Sequence, residues 1–393
     1  MNIKEIDNPG NKEKIAIVVI GYNRLLSIKR LLGSLLNADY PSKDIPLVIS
    51  IDCSGNEQLY DFVRDFEWPY GDKYLNIQKT RLGLQKHIFQ CADLTEYFRA
   101  VILLEDDLYL SSSFYQFAIE AVAKYGDDNR IAEIALYRNN DNGYAGFPFE
   151  PMQNGADVFL WQDVCTSGEI LTKPMWKKFT KWRDDICTDQ IINATDMPAQ
   201  IKGWARAWSK PYNSFVVSTK RHVLFPYVSV STNFGDSGEH SDTSTITTQV
   251  GLMYGCKQYN MPDAAELVAY DLYTNNESLY EWLGLKHDEL CLDIYGQGRE
   301  LNNRRYLLSP KNLPYKIIRS FGLSMRPIEM NVKYGIEGNG LFLYDTHTPA
   351  KCKKGGKYPF AFLRFYFNSV GVYHIWRYAL LTFKNAVKRK LCK

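Results

Sequence analysis

Apolar runs without alternation punctuate the first third of the chain. Residues 15–21 (IAIVVIG) and 47–51 (LVISI) are continuously apolar and β-branched, the mark of strands buried on both faces. YLNIQ (74–78) and AVILL (100–104) predict two further strands. After the first strand, Leu25, Ile28, Leu32, Leu35 and Leu36 fall on one side of a helix. Residues 84–98, 111–125 and 168–182 also read as helices, and 222–241 as strand followed by a Gly/Asp/Ser turn. Alternating strands and helices predict a mostly parallel α/β sheet with right-handed crossovers. Residues 137–160, rich in Asn, Gly, Pro and aromatics, read as a loop covering a site, and 184–204 are poorly patterned. A composition shift near residue 255 divides the expected organisation into a main domain (1–254), an accessory region (255–350) and a tail (351–393).

The polar clusters follow the predicted strands. GYNR comes after the first, Asp52 of DCSG after the second, and Glu105, Asp106 and Asp107 after the fourth. Open α/β sheets bind ligands just beyond the carboxyl ends of their parallel strands. The three consecutive carboxylates have no basic neighbour in sequence, so their repulsion calls for a positive charge from elsewhere. A hard divalent cation, Mg²⁺ or Mn²⁺, supplies it, taking one or two protein carboxylates together with phosphate oxygens. If extended geometry persists, Glu105 and Asp107 share a side and Asp106 faces away. Asp107, furthest from the sheet, is then the expected ligand. No P-loop or dinucleotide fingerprint is present; GIEGNG (335–340) lacks both spacing and context. Diphosphate held by metal rather than by a glycine loop fits transfer from a nucleotide sugar, the ion acting as Lewis acid on the leaving group.

Charge separates the tail from the body. The net charge of +3 conceals eleven Lys or Arg and no acid from Lys351 onward, leaving 36 basic against 44 acidic residues before it, a net of −8. A basic tail carrying Phe, Tyr, Trp and Leu suits an interfacial segment on an anionic membrane surface. Nucleic acid is the other anionic candidate, but no recognisable nucleic-acid module accompanies the run. The eight Cys are scattered without metal spacing, which favours reduced thiols. The opening MNIKEIDNPGNKEK lacks the apolar stretch of a signal peptide, and no transmembrane run occurs. The expected location is therefore the cytoplasm, peripherally on the inner face of the membrane.

IAIVVIGYNR, VISIDCSG and VILLEDDLYLSSSFYQF resemble glycosyltransferases of the GT-A fold, with a Rossmann-like, mostly parallel sheet flanked by helices. The likeness is to the N-acetylglucosaminyltransferase I branch and to bacterial family 2-like transferases of surface polysaccharide synthesis. It covers residues 15–240. It implies that Arg24 contacts the nucleotide and Asp52 receives the uracil N–H. Glu105 and Asp106 would hold the sugar and ribose, and Asp107 would ligate Mn²⁺. His240, in the SGEH turn, falls where such enzymes order a loop over the donor and would complete the metal shell. The implied activity is hexosyl or N-acetylhexosaminyl transfer from a UDP-sugar to a glycan, free or lipid-linked.

The pattern breaks at the catalytic base. An inverting transferase needs a group to take the acceptor proton, and the family's motif carboxylate is absent from GWARAWS (203–209), where Ala205 and Arg206 stand between Trp204 and Trp208. Glu169, Asp184, Asp185, Asp189, Asp196 and Asp236 are the alternatives, and Asp196 is preferred because it lies in the polar segment just before the motif. The missing acid keeps a non-catalytic nucleotide-sugar- or glycan-binding protein in view. A nucleotidyltransferase would need a glycine-rich loop after strand one, where GYNRLLSIKR has one Gly.

Overall fold

The computed structural model describes residues 6–205, 207–238, 246–352 and 355–391. It divides into two units, Met1–Asn140 with Pro151–Glu277, and Asp141–Glu150 with Ser278–Lys393.

The first unit opens as an alternation of strand and helix: β1 (Ile15–Gly21), α1 (Leu25–Leu36), β2 (Leu47–Ile51), α2 (Glu57–Asp65), β3 (Lys73–Ile77), α3 (Leu84–Ala92) and β4 (Ala100–Glu105). Every residue of β1 and β2 is buried, as runs with no polar face require. A short β5 (Leu108–Leu110), α4 (Phe114–Tyr125) and β6 (Ile131–Ala135) follow. The strands β7 (Asp141–Asn142) and β8 (Phe147–Pro148) form a hairpin that belongs to the second unit. The first unit resumes with β9 (Val158–Trp161), β10 (Glu169–Thr172), α5 (Lys173–Asp185), α6 (Asp189–Ala194), α7 (Ala199–Gly203), α8 (Ser209–Ser218), β11 (His222–Pro226), β12 (Ser231–Asn233) and β13 (Ala269–Tyr270).

Nine strands form one sheet in the order β13-β9-β11-β6-β10-β4-β1-β2-β3. Strands β1 to β4 are mutually parallel; β10 runs antiparallel between β4 and β6. Ile20 lies opposite Glu105, and Gly21 opposite Ile51, so the carboxyl ends of β4, β1 and β2 finish level with one another. That alignment brings GYNR, Asp52 and the acidic turn together.

Residues 168–172 form a strand rather than the first turn of the expected helix. Gly168 has φ +102°, a conformation a helix does not accept, and the helix begins only at Lys173, with proline in its first turn. Strand β6 lay unread in IAEIA, because Glu133 interrupts the apolar run while being buried itself. The helix expected over 84–98 ends at Ala92 and continues as a 3-10 turn, Asp93–Glu96. Strand β13 pairs with β9, so the first unit extends past residue 255 to Glu277.

The second unit contains a four-stranded sheet of β14 (Leu290–Leu292), β15 (Tyr306–Ser309), β16 (Tyr315–Phe321) and β17 (Leu341–Pro349), in the order β14-β15-β17-β16. Its core holds Cys291, Leu307, Phe342 and Tyr344. Helices α9 (Phe360–Phe367) and α10 (Val372–Leu391) end the chain. Among the described residues no helix is long and apolar enough to cross a membrane, and the described cysteines are free thiols.

Candidate active site

A cleft of about 690 Å³ opens beyond the carboxyl ends of β1, β2 and β4, within the size range of small-molecule sites. Arg24, Asp52, Glu105, Asp106 and Asp107 all border it, so five residues singled out from sequence meet at one sheet edge. The three acids do not alternate in direction as extended geometry would demand. Strand β4 ends at Glu105, and Asp106 and Asp107 form a turn into β5, which turns Asp106 toward the cleft as well.

The positive charge missing from the local sequence is provided in part by Arg24, at the head of α1. Its Nε donates to Asp106 Oδ1 at 3.1 Å, Nη2 makes a second bond to the same oxygen, and Nη1 reaches Asp107 Oδ2 at 3.1 Å. Burial works to lower the pKa of Arg24, but Asp106 and Asp107 outweigh it and hold the guanidinium above its ordinary value. One cation against three carboxylates leaves an excess of negative charge. Burial, with the neighbouring Asp107 and Asp106, pushes the half-buried Glu105 up to about 8 against the pull of Arg24. Burial likewise raises Asp106, to about 6, and Arg24 opposes it. Asp107 is less enclosed; its Oδ1 is 3.5 Å from Asn233 Nδ2, and its carbonyl accepts from Phe234 N at 2.9 Å.

This donor set suits a hard cation. Oxygen ligands, surplus negative charge and a carboxylate at the cleft side of the turn are what Mg²⁺ or Mn²⁺ requires when phosphate oxygens complete the shell. Among the described residues, no group of three or more His, Cys, Asp or Glu forms a metal cluster by itself.

Asp52 is buried and already occupied. Its Oδ1 accepts from Cys53 N at 2.8 Å and Leu82 N at 2.9 Å, and Oδ2 from Gly83 N at 2.9 Å. The carboxylate thus ties the end of β2 to the loop leading into α3, with one free acceptor site left on Oδ2. His87 borders the cleft from α3, its Nε2 2.7 Å from Ser50 Oγ, and burial holds the imidazole below its usual range. Sequence reasoning passed over it, although Leu84, His87, Ile88 and Cys91 share helical spacing that sets His87 on the packed side.

A second ion pair closes the cleft from the GDSG turn. Asp236 pairs with Arg30 and accepts from Ser27 Oγ at 2.7 Å, while its carbonyl accepts from Arg24 Nη1 at 3.2 Å. Burial would raise Asp236, but the bonds from Arg30 and Ser27 outweigh it and keep the group below its normal value. Arg30 also stacks over Phe234, 3.8 Å from the ring centroid. The stripe Arg24, Ser27, Arg30 along α1 was the signal in the sequence for this half of the site.

The candidate bases are scattered. Asp196 lies half-buried between α6 and α7 and does not border the cleft. Asp184, Asp185 and Asp189 are exposed near the end of α5 and the start of α6. Glu169 is buried in β10 beside Glu133, and burial drives both carboxyls well above their usual range. Asp236 borders the cleft with its carboxylate engaged. His240 and Arg206 lie outside the described residues.

No family model and no curated protein matches the chain. Solved structures it resembles include TarS of S. aureus, residues 1–349, in complex with UDP-GlcNAc, at 16% identity and TM-score 0.38 over 58% of this chain and 60% of that one. The mannosyltransferase PcManGT from Pyrobaculum calidifontis, with GDP-Man and Mn²⁺, matches at 12% identity and TM-score 0.29 over 42% and 46%. GalNAc-T7 with UDP, GalNAc and Mn²⁺ matches at 11% identity and TM-score 0.36 over 55% and 43%. The match thus spans about three fifths of the TarS fragment. At these TM-scores the likenesses carry no weight on function, which rests on the cleft itself.

Proposed function

We propose that the chain is a metal-dependent GT-A glycosyltransferase that moves a hexosyl or N-acetylhexosaminyl group from a UDP-sugar to a hydroxyl of a glycan. The observation that carries this reading is the meeting of Arg24, Asp52 and the acid-rich turn at the level ends of three adjacent parallel strands, around a cleft of nucleotide-sugar size. Asp107 would hold Mn²⁺ or Mg²⁺, and the ion would supply positive charge to neutralise the leaving diphosphate. The remaining acceptor site of Asp52 is offered to the uracil N–H, and Arg24 and Asp106 border the ribose and phosphates. The acceptor oxygen attacks the anomeric carbon, the bond to the diphosphate breaks, and its electron pair leaves with UDP. The hydroxyl proton passes to a base, with inversion the expected outcome; of the candidate bases named above and described in the structure, Asp236 alone borders the cleft, where Arg30 and Ser27 hold it. A lipid-linked surface polysaccharide is the acceptor that suits a cytoplasmic enzyme held at an anionic membrane surface by a basic tail.

Ala205, standing where the motif acid is expected, favours one other reading: a protein that binds a nucleotide sugar or glycan without transferring it. Release of UDP from a panel of UDP-sugars, with Mn²⁺, Mg²⁺ or chelator, separates the two. Slow metal-dependent release from one donor, lost in Asp107→Ala, supports the enzyme. Binding without release under every condition supports the other.

A further inference from the structure

Among the described residues, the last helix is an amphipathic cylinder whose apolar face is left uncovered. Val372, Ile375, Trp376, Leu380, Phe383 and Val387 recur at helical spacing along one face of α10. They are exposed: Val372 by 82%, Trp376 by 63% and Phe383 by 70%. Arg377 and Lys384 flank that face, and His374 and Asn385 lie opposite; Tyr378 and Leu381 are the departures from the pattern. Exposed apolar area of this extent marks an interaction surface.

The preceding helix is fixed to the second unit, so α10 does not hang from a free tether. Phe362 and Tyr366 of α9 are buried against Phe147, with ring centroids 5.2 and 4.9 Å away, and Phe362 stacks on Tyr358 at 4.9 Å. The outer side of α9 leaves Phe360, Leu363 and Phe367 uncovered at positions i, i+3 and i+7.

We propose that α10 lies in the interface of an anionic bilayer. Its Val372–Trp376–Leu380–Phe383–Val387 face enters the acyl boundary, Arg377 and Lys384 meet lipid phosphates, and the outer residues of α9 extend the contact. This deepens, and rests on, the reading that the acceptor is met at a membrane. Charge selects the occupant. The chain has no acid after Lys351, whereas the residues before it carry a net −8 that an anionic surface repels, so attraction to such a surface resides in the tail. A second copy is disfavoured, because pairing two such faces would bring cationic flanks together with no carboxylate between them. Among the described residues no helix, α10 included, is long and apolar enough to span a bilayer.

Sedimentation of the full chain with vesicles tests the assignment, using phosphatidylcholine alone and phosphatidylcholine with phosphatidylglycerol. The wild type should pellet with the anionic vesicles and be released by salt. Trp376→Glu with Phe383→Glu should weaken binding roughly tenfold or more, and Arg377→Glu with Lys384→Glu roughly tenfold, both with unchanged circular dichroism. Equal binding to neutral and anionic vesicles, or undiminished binding by the Trp376/Phe383 variant, would overturn the proposal. So would a dimer in light scattering, abolished by that variant, in a protein that ignores vesicles. Asp107→Ala should bind vesicles like the wild type. Vesicle binding by a chain that binds no UDP-sugar would leave the docking intact and sink the proposed function.

Discussion

Replacing Glu105 by Gln removes a carboxyl that the cleft keeps protonated near neutral pH. Glu105 ends β4, half-buried, and burial with its two acidic neighbours raises it to about 8. In the unfolded chain a Glu titrates near ~4.3. From about pH 5 to about 8 the folded protein therefore holds a proton that the unfolded chain has released. The stability from this group is complete below the unfolded pKa and is lost as pH rises through the folded one. One such proton is worth about 1.4 kcal/mol per pH unit. Solvent screening of this half-buried carboxyl at the cleft mouth reduces the sum over the window to about 2 kcal/mol. Denaturant unfolding in chelator at about pH 5.5 and about pH 8.5 reads the effect directly. The wild type should lose about 2 kcal/mol more than Glu105→Gln between the two conditions, and titrating groups outside the acidic turn, His87 among them, cancel in the comparison. Parallel stability curves for the two proteins would refute the reasoning.

Asp107→Asn should fold normally yet lose the rise in Tm that Mn²⁺ and UDP together give the wild type; an equal rise in both proteins would remove Asp107 as the ligand. Asp52→Asn leaves backbone donors of Leu82 and Gly83 facing an amide, at a cost of about 2–3 kcal/mol. An Asp52→Asn protein as stable as the wild type in denaturant would show that the loop does not depend on this carboxylate. Arg24→Met strands the buried Asp106 and should destabilise by about 3 kcal/mol at neutral pH. Because Asp106 then takes up a proton, the deficit should shrink toward about pH 4.5, and a deficit independent of pH would count against the pairing.

The parts of the fold legible in sequence were those set by local pattern. IAIVVIG and LVISI coincide with β1 and β2 because a strand buried on both faces leaves no polar position to blur its ends. Strand β10 has no signal of its own in sequence because GEILT runs into a true helix, and only the position of Gly168 at φ +102° separates them. Strand β6 was hidden by Glu133, whose burial is a consequence of long-range packing. The site was legible for the same reason as the sheet: each loop after a parallel strand is delivered to one edge. What sequence could not give was the partnership across that edge. Arg24 and Asp106 are 82 positions apart, and Arg30 and Asp236 are 206 apart.

Those long-range pairs change the account of the acidic turn. Taken along the chain, three carboxylates stand without any positive neighbour; in space, Arg24 satisfies the innermost, Asp106, and shares itself with Asp107. Glu105 responds to the remaining excess by holding its proton. The turn is thus neither a fully compensated structural cluster nor a set of three free ligands. One arginine lets the apo protein keep the acids together, and with Glu105 protonated the surplus charge stays with Asp107. Asp107, less enclosed than Asp106 and with a long contact from Asn233 as the side-chain bond on its second oxygen, is where that surplus is most accessible to a cation. A fourth carboxylate, Asp236, adds nothing to it, because Arg30 and Ser27 already hold that group. The division of labour follows from depth: the buried acid takes the internal counter-ion, and the acid nearer the cleft is left for one from outside.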